Sequence, residues 1–268
     1  MSVELGILGA GNMAEAIAGG VVRGGLLKPD QILAADVSGD RRKIFSERLG
    51  ISTTEDNRQV ASQAKTILLS VKPQHMKQVL EGIRDVLRAD ALIISIAAGI
   101  STRFIETHVG GSRRVIRTMP NTPMLIGEGM VAMARGQHAT EDDSRRARAL
   151  FETAAAVIDV SEDQLDAVTA VSGSGPAYIF YLVEQMIRAG TELDLSPEHA
   201  RQLAIKTALG AARMLASSDD SPQELRRKVT SPGGTTQAAI SYMEQHEFAS
   251  TVVEALKAAA TRSRELGS

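Results

Sequence analysis

Two hydrophobic patterns divide the chain. Up to about residue 160, short and wholly apolar runs alternate with stretches in which apolar positions recur every three or four residues. The runs lie at 4–8, 31–36, 66–70, 92–96 and 114–118, and the helical stretches include 13–23, 41–49 and 74–87. Ile67-Leu68-Leu69 and Leu92-Ile93-Ile94 are apolar on both faces, the pattern of buried parallel strands. Strands alternating with helices of this length form βαβ units around a mostly parallel sheet. From residue 161 to the end the periodicity is helical, with no convincing strand. Ser196-Pro197 and Ser221-Pro222 each place a capping hydroxyl before a proline at the first helical position, and Glu224 completes a capping-box pattern with Ser221. The stretch 177–189 is apolar on almost every side (Tyr178, Ile179, Phe180, Leu182, Val183, Met186, Ile187). Such a helix must be covered all round, which a domain of about 100 residues does poorly alone. A subunit interface is the natural cover.

Composition narrows the class. Of 268 residues, 43% are apolar and 23% charged, the balance of a soluble globular protein with a real core. The 30 Lys+Arg against 32 Asp+Glu give a formal charge of -2, which argues against nucleic acid or an anionic membrane as partner. The absence of cysteine excludes disulfides, thiol nucleophiles and thiolate metal sites. The N-terminus has no signal-peptide pattern, and no run of 18 apolar residues occurs, so the expectation is a cytoplasmic protein.

The first strand runs into Gly9-Ala10-Gly11-Asn12-Met13-Ala14, a G-x-G-x-x-A opening a helix. Gly9 permits a tight turn, Gly11 lets a pyrophosphate approach the backbone, and Ala14 lets helix and strand pack closely. Placed after the first strand of a βαβ unit, the motif is a dinucleotide fingerprint. The fold class is therefore α/β: an N-terminal Rossmann-type domain over 1–160, followed by an all-α C-terminal dimerisation domain over 161–268. At the end of the second strand stands Asp36, suited to a ribose 2′-hydroxyl and so to NAD(H). Ser38, Arg41 and Arg42 follow it and suit the 2′-phosphate of NADP(H). Both cofactors are expected to work.

Several catalytic devices are missing. Tyr178, Tyr181 and Tyr242 are followed four residues later by Leu182, Gln185 and His246, so the Tyr–Lys pair of short-chain dehydrogenases is absent. The five histidines show no metal-ligand spacing, and no metal is expected. Ser172-Gly173-Ser174-Gly175 does not have the shape of a nucleophile elbow. Cofactor and positioning must then do the chemistry. A ketone needs a proton donor as hydride arrives, whereas a cyclic imine is basic enough to arrive protonated. Such a site suits an imine.

Two Gly/Ser/Thr-rich stretches interrupt the helical half. In the second, Val229-Thr230-Ser231-Pro232-Gly233-Gly234-Thr235-Thr236, the glycines offer backbone N–H groups at a helix start, a nest suited to a carboxylate. With Val71-Lys72-Pro73, Ile96-Ala97-Ala98-Gly99, Arg117-Thr118-Met119-Pro120-Asn121-Thr122-Pro123 and Ser172-Gly173-Ser174-Gly175-Pro176-Ala177-Tyr178, these segments resemble the pyrroline-5-carboxylate reductase family over essentially the whole chain.

The resemblance implies hydride transfer from NAD(P)H to C5 of 1-pyrroline-5-carboxylate, giving L-proline in the last step of its biosynthesis. It implies that Leu8, Gly9, Ala10, Gly11, Asn12 and Met13 hold the pyrophosphate and that Ser38 sits beside the adenosine ribose. Asn57, Val71, Lys72 and Ala98 would line the groove toward the nicotinamide. Ser231, Gly233, Gly234, Thr235 and Thr236 would bind the substrate carboxylate, with Ser231 and Thr236 as the catalytic pair and the Thr236 hydroxyl near the ring nitrogen. Glu162 and Asp219 match acidic positions near the active site, Glu162 counting among the substrate-binding residues. The helical domain would form a homodimer, with a ring of dimers left open, and the substrate loop would come from the partner subunit. Asp36 departs from NADPH-preferring members, which often carry a small or polar residue there. Two other readings compete. A related imine or β-hydroxyacid reductase is one, but the latter would carry a catalytic Lys on the first long helix, and 177–189 has none. A non-catalytic NAD(P)-sensing module is the other, and it gives 231–236 no task.

Overall fold

The computed structural model describes residues 2–267. They form an eight-stranded sheet: β1 (Leu5–Leu8), β2 (Ile32–Ala35), β3 (Ser52–Thr54), β4 (Thr66–Leu69), β5 (Leu92–Ser95), β6 (Arg114–Pro120), β7 (Gly129–Arg135) and β8 (Ala155–Asp159). Their order is β3-β2-β1-β4-β5-β6-β7-β8. All neighbours pair in parallel except β6 and β7. Among the sheet's helices, α1 (Asn12–Arg23), α2 (Gly39–Leu49), α3 (Asn57–Gln63), α4 (Met76–Ile83), α5 (Thr102–Val109) and α6 (Glu141–Phe151) follow strands in turn. The chain runs out from β1 to β3 and then returns to place β4 on the other side of β1. That reversal opens a crevice at the carboxyl ends of β1 and β4, the place where open α/β sheets bind ligands.

Side-chain alternation explains why helices cover both faces. Leu5 and Ile7 of β1 enter one apolar cluster with Ile17 of α1, Phe45 of α2 and Phe151 of α6. Leu8, with Leu69 of β4, enters a second with Val60 of α3, Leu80 of α4 and Ile105 of α5. Every residue of β1, β2, β4 and β5 is buried. Each Leu or Ile so covered contributes roughly 1.5–3 kcal/mol.

The five expected strands are present. Three more, β3, β7 and β8, were not expected, nor were α3, α5 and α6. The helical stretch at 74–87 is shorter than its periodicity suggests: a 3-10 turn at Pro73–His75 precedes α4, which stops at Ile83. The chain from 161 on is helical, as its periodicity indicates. It comprises α7 (Leu165–Val168), α8 (Gly175–Glu192), α9 (Pro197–Ser217), α10 (Pro222–Lys228), α11 (Thr235–Gln245) and α12 (Phe248–Leu266), with a π-helical turn at Thr169–Gly173 before α8. Ser196 and Ser221 cap α9 and α10 as expected, accepting from the His199 and Glu224 amides, each at 3.2 Å. The capping box at Ser221 is not completed. The Glu224 carboxylate turns to the Arg227 guanidinium instead, and a charge-assisted pair outcompetes a backbone amide.

The chain separates into two compact units. One comprises residues up to Ser174 together with the C-terminal residues from Ala259; the other is Gly175–Ala258. In the second unit no residue of α8 is buried within the chain, and Phe180 and Tyr181 are 68% and 65% exposed. The all-round apolar helix therefore lacks cover within its own chain. No helix of the described residues is long and apolar enough to cross a membrane.

Gly6 tests the packing of the sheet face. A Cβ there would lie 2.6 Å from both the Ala64 and Val60 side chains. Gly6→Ala is expected to cost about 1–3 kcal/mol by overpacking, read as a lowered denaturation midpoint at unchanged m-value.

Candidate active site

The turn after β1 is built as the fingerprint requires. Gly9 has φ +95°, and a Cβ on it would lie 2.8 Å from the Ser70 carbonyl oxygen. Only glycine lets the turn pass this close to the end of β4. At Gly11 an added Cβ would meet nothing within 4 Å. The space above it is open, as approach of a pyrophosphate demands. Gly11 is also the N-cap of α1 and supplies no side-chain cap. The first-turn amides of Asn12, Met13 and Ala14 therefore face an anion-binding position. Ala14 is fully buried against the sheet.

Asp36 bonds the turn directly. Its Oδ2 accepts from the Ala10 amide at 2.7 Å, and its Oδ1 accepts from the Ser38 amide at 2.8 Å. Ser38 in turn caps α2, its hydroxyl accepting from Arg41. The two arginines fold back on the same loop. Arg41 donates to the Ala10 carbonyl and pairs with Glu15 at 2.8 Å; Arg42 donates to the Asp36 and Val37 carbonyls and pairs with Glu55. A 2′-phosphate here would stand beside the Asp36 carboxylate and compete with Glu15 and Glu55 for both guanidiniums. A 2′-hydroxyl meets no such opposition, because each Asp36 oxygen keeps a second acceptor position.

Val71 and Lys72 follow β4, and Ala98 follows β5, on the side of the crevice away from β2. Asn57 opens α3 just beyond β3, so strand order sets it apart from these three, on the β2 side of β1. The residues thus fit a dinucleotide laid across the carboxyl edge.

The Gly/Ser/Thr-rich loop belongs to the second unit. Gly233 adopts φ +69°, the Gly234 amide donates to the Ser231 carbonyl at 3.0 Å, and Gly234 is the N-cap of α11 without a side-chain cap. The Gly233 amide is taken by the Gln237 side chain. What remains is a helix start carrying Thr235 and Thr236, with the exposed Ser231 before it. Asp219, also in this unit, is exposed beside Asp220, which is bound to Lys228.

Residues 162–266 match the family description "Pyrroline-5-carboxylate reductase dimerisation". Residues 4–99 match "NADP oxidoreductase coenzyme F420-dependent". The pyrroline-5-carboxylate reductase of Pseudomonas aeruginosa is 41% identical over 98% of this chain and 96% of its own length. The chain belongs to the pyrroline-5-carboxylate reductase family. Solved structures of family members agree. That from Coxiella burnetii superposes with a TM-score of 0.90 at 38% identity, covering 100% of both chains. That from Plasmodium falciparum, solved with NADP bound, gives 0.91 at 30% identity over 99% of this chain and 98% of the other.

In this member of the family, Glu162 is already engaged within the first unit. Its Oε1 accepts from the Thr102 amide at 2.7 Å and its Oε2 from the Thr102 hydroxyl at 2.7 Å, while Arg117 lies 3.4 Å from Oε1. A second junction carries no assigned role in the sequence reading. Asn121 donates to the Ser172 hydroxyl at 3.2 Å and accepts from the Met130 amide at 2.9 Å, joining two of the motif segments. Their shared richness in small polar residues was the available signal, but spacing alone does not say that they meet.

Replacing the Asp36 carboxylate by an amide keeps the side chain's shape and removes a charge beside the 2′ position. Asp36→Asn is expected to raise the NADPH-to-NADH ratio of kcat/KM by about tenfold or more, equivalent to about 1.4 kcal/mol. Initial rates with the two reduced cofactors check it.

Proposed function

We propose that the chain reduces 1-pyrroline-5-carboxylate to L-proline and accepts both NADH and NADPH. The observation that carries the reading is the uncapped start of α11 with its left-handed Gly233, in a chain of this family. When bound, the reduced nicotinamide supplies the hydride to C5. Leu8, Gly9, Ala10, Gly11, Asn12 and Met13 hold the pyrophosphate, with Asp36 and Ser38 at the ribose and Asn57, Val71, Lys72 and Ala98 along the groove. The loop turned by Gly233 and Gly234 presents the amides of Thr235 and Thr236, which with the Ser231 hydroxyl receive the substrate carboxylate, since aligned helix amides favour an anion. The Thr236 hydroxyl orients the ring nitrogen. The imine arrives protonated, so the protein supplies position and charge complementarity and needs no strong acid. We divide the roles at residue 160: 1–160 bind the cofactor, and 161–268 bind substrate and form the dimer. A partner subunit covers the bare apolar side chains of α8 and contributes the substrate loop; a ring of such dimers is the further assembly this reading allows.

Formation of proline from pyrroline-5-carboxylate and either reduced cofactor is the direct test, and no detectable product at millimolar substrate would remove the proposal. Thr236→Ala is expected to lower kcat/KM by about 10²-fold, the size of one lost transition-state hydrogen bond, while the Kd for the dinucleotide stays within about twofold.

A further inference from the structure

We propose that the C-terminal turn of α12 straps down the Ala97-Ala98-Gly99 turn that walls the nicotinamide end of the crevice, making Ser263, Asp166, Arg117 and Glu162 positioning residues for hydride transfer. The inference rests on the proposed reductase function for its kinetic consequence, but not for its binding consequence.

The turn after β5 is held on three sides. From within, the Ser95 hydroxyl accepts from the Ala97 amide at 3.3 Å, and Thr118 of β6 donates to the Ser95 carbonyl at 3.0 Å. Ser95 and Thr118 are fully buried, 0% and 1% exposed. At its far end the turn enters α5, where Glu162 takes both the amide and the hydroxyl of Thr102. Over its top lies the end of the chain. Gly99 has φ +78°, and a Cβ there would lie 2.7 Å from the Ser263 carbonyl oxygen and 2.8 Å from the Gly267 nitrogen. A side chain at Gly267 would in turn collide with the Gly99 carbonyl. Two glycines meet because neither backbone leaves room for a Cβ.

One buried cation joins these contacts. The Arg117 side chain is 7% exposed and lies between Glu162, at 3.4 Å, and Asp166, at 3.7 Å. The same Asp166 oxygen accepts from the Ser263 hydroxyl at 2.7 Å, and Ser263 is itself buried. A buried guanidinium needs a carboxylate partner, and two carboxylates satisfy more of its five N–H donors than one can. The hub therefore links α12, α7, β6 and the start of α5 across 97 residues of sequence between Asp166 and Ser263. None of its four side chains is among those assigned above to the dinucleotide. Its influence passes through the turn, whose Ala98 sits at the carboxyl end of β5, on the nicotinamide side of the strand reversal.

The test uses the full chain with Gly99→Ala and Ser263→Ala. Each is titrated with NADH and with ADP-ribose, which carries the same adenosine and pyrophosphate but no nicotinamide. Gly99→Ala is expected to weaken NADH about tenfold or more and to leave ADP-ribose within about twofold; Ser263→Ala is expected to do the same on a scale of about threefold. In turnover, kcat should fall with the KM for the imine within about twofold. The primary isotope effect from 4-deuterated NADH should rise as hydride transfer becomes limiting. Equal loss of both ligands would mean general loosening and overturn the proposal, as would unchanged NADH affinity in both variants. If Gly99→Ala does not fold, the Ser263→Ala split decides alone. A wild type inactive on pyrroline-5-carboxylate sinks the functional reading yet leaves the binding split to be measured.

Discussion

The close passage of the β1 turn over the end of β4 is the constraint on which the first unit depends. The Leu8 carbonyl accepts from the Ser70 amide at 2.9 Å, and the Gly9 amide reaches across to the Ala35 carbonyl at 2.8 Å. One turn is thereby stitched to both neighbouring strands. Asp36 adds a third stitch by taking the Ala10 amide. With both flanks fixed, α1 begins where its uncapped amides point into the crevice. A binding site made of backbone groups depends on such rigidity, because it has no side chains that can rotate to meet a ligand.

The two units are stabilised in different ways, and this bears on function. The sheet is covered on both faces by its own helices, so its apolar strands are satisfied within one chain. The helices of 175–258 are not. Phe180, Tyr181, Leu203 and Val253 are each at least half exposed, and aromatic side chains of this kind bury about 150–250 Å² apiece when covered. An apolar surface of that extent is costly in water. Residues 162–266 match a dimerisation family, the kind of domain in which such a surface is expected to be covered. On the proposed reading, a substrate loop standing among those helices is ordered only as well as the association that covers them.

Much of the fold was legible because buried parallel strands write themselves as continuous apolar runs. The strands that escaped did so for identifiable reasons. β3 is three residues long, too short for any period. β7 is Gly129-Met130-Val131-Ala132-Met133-Ala134-Arg135, whose alanines and methionines carry little β propensity, and tertiary pairing with β6 overrides it. β8 is an edge strand with one covered side. At the site, the positions of Gly9 and Gly11 could be read because a turn's glycines are dictated locally. The use of Asp36 could be read only in part: its sequence context suggests a ribose ligand, while its bond to Ala10 spans 26 residues and leaves no local mark. Glu162 shows the same limit more sharply. Family likeness assigned it to substrate, whereas its visible partners are Thr102, 60 residues away, and Arg117, 45 away.

These separations follow a pattern across the crevice. At the adenosine end, the contacts that shape the wall lie within one stretch of sequence, between Ala10, Glu15, Asp36, Ser38, Arg41, Arg42, Thr54 and Glu55. At the other end, the Ala98 turn is braced by Thr118, Glu162 and finally by residues 263–267. The local wall is complete once β1, β2, β3 and the start of α2 are in place. The distant wall is complete only when residues 263–267 are in place, after the stretch 175–258 has been traversed. Docking the invariant part of a dinucleotide needs only the first kind of wall. Placing a reactive ring against a substrate needs tolerances of a fraction of an ångström, and contacts such as Gly99 to Gly267, 168 residues apart, are the kind of bracing that demand calls for.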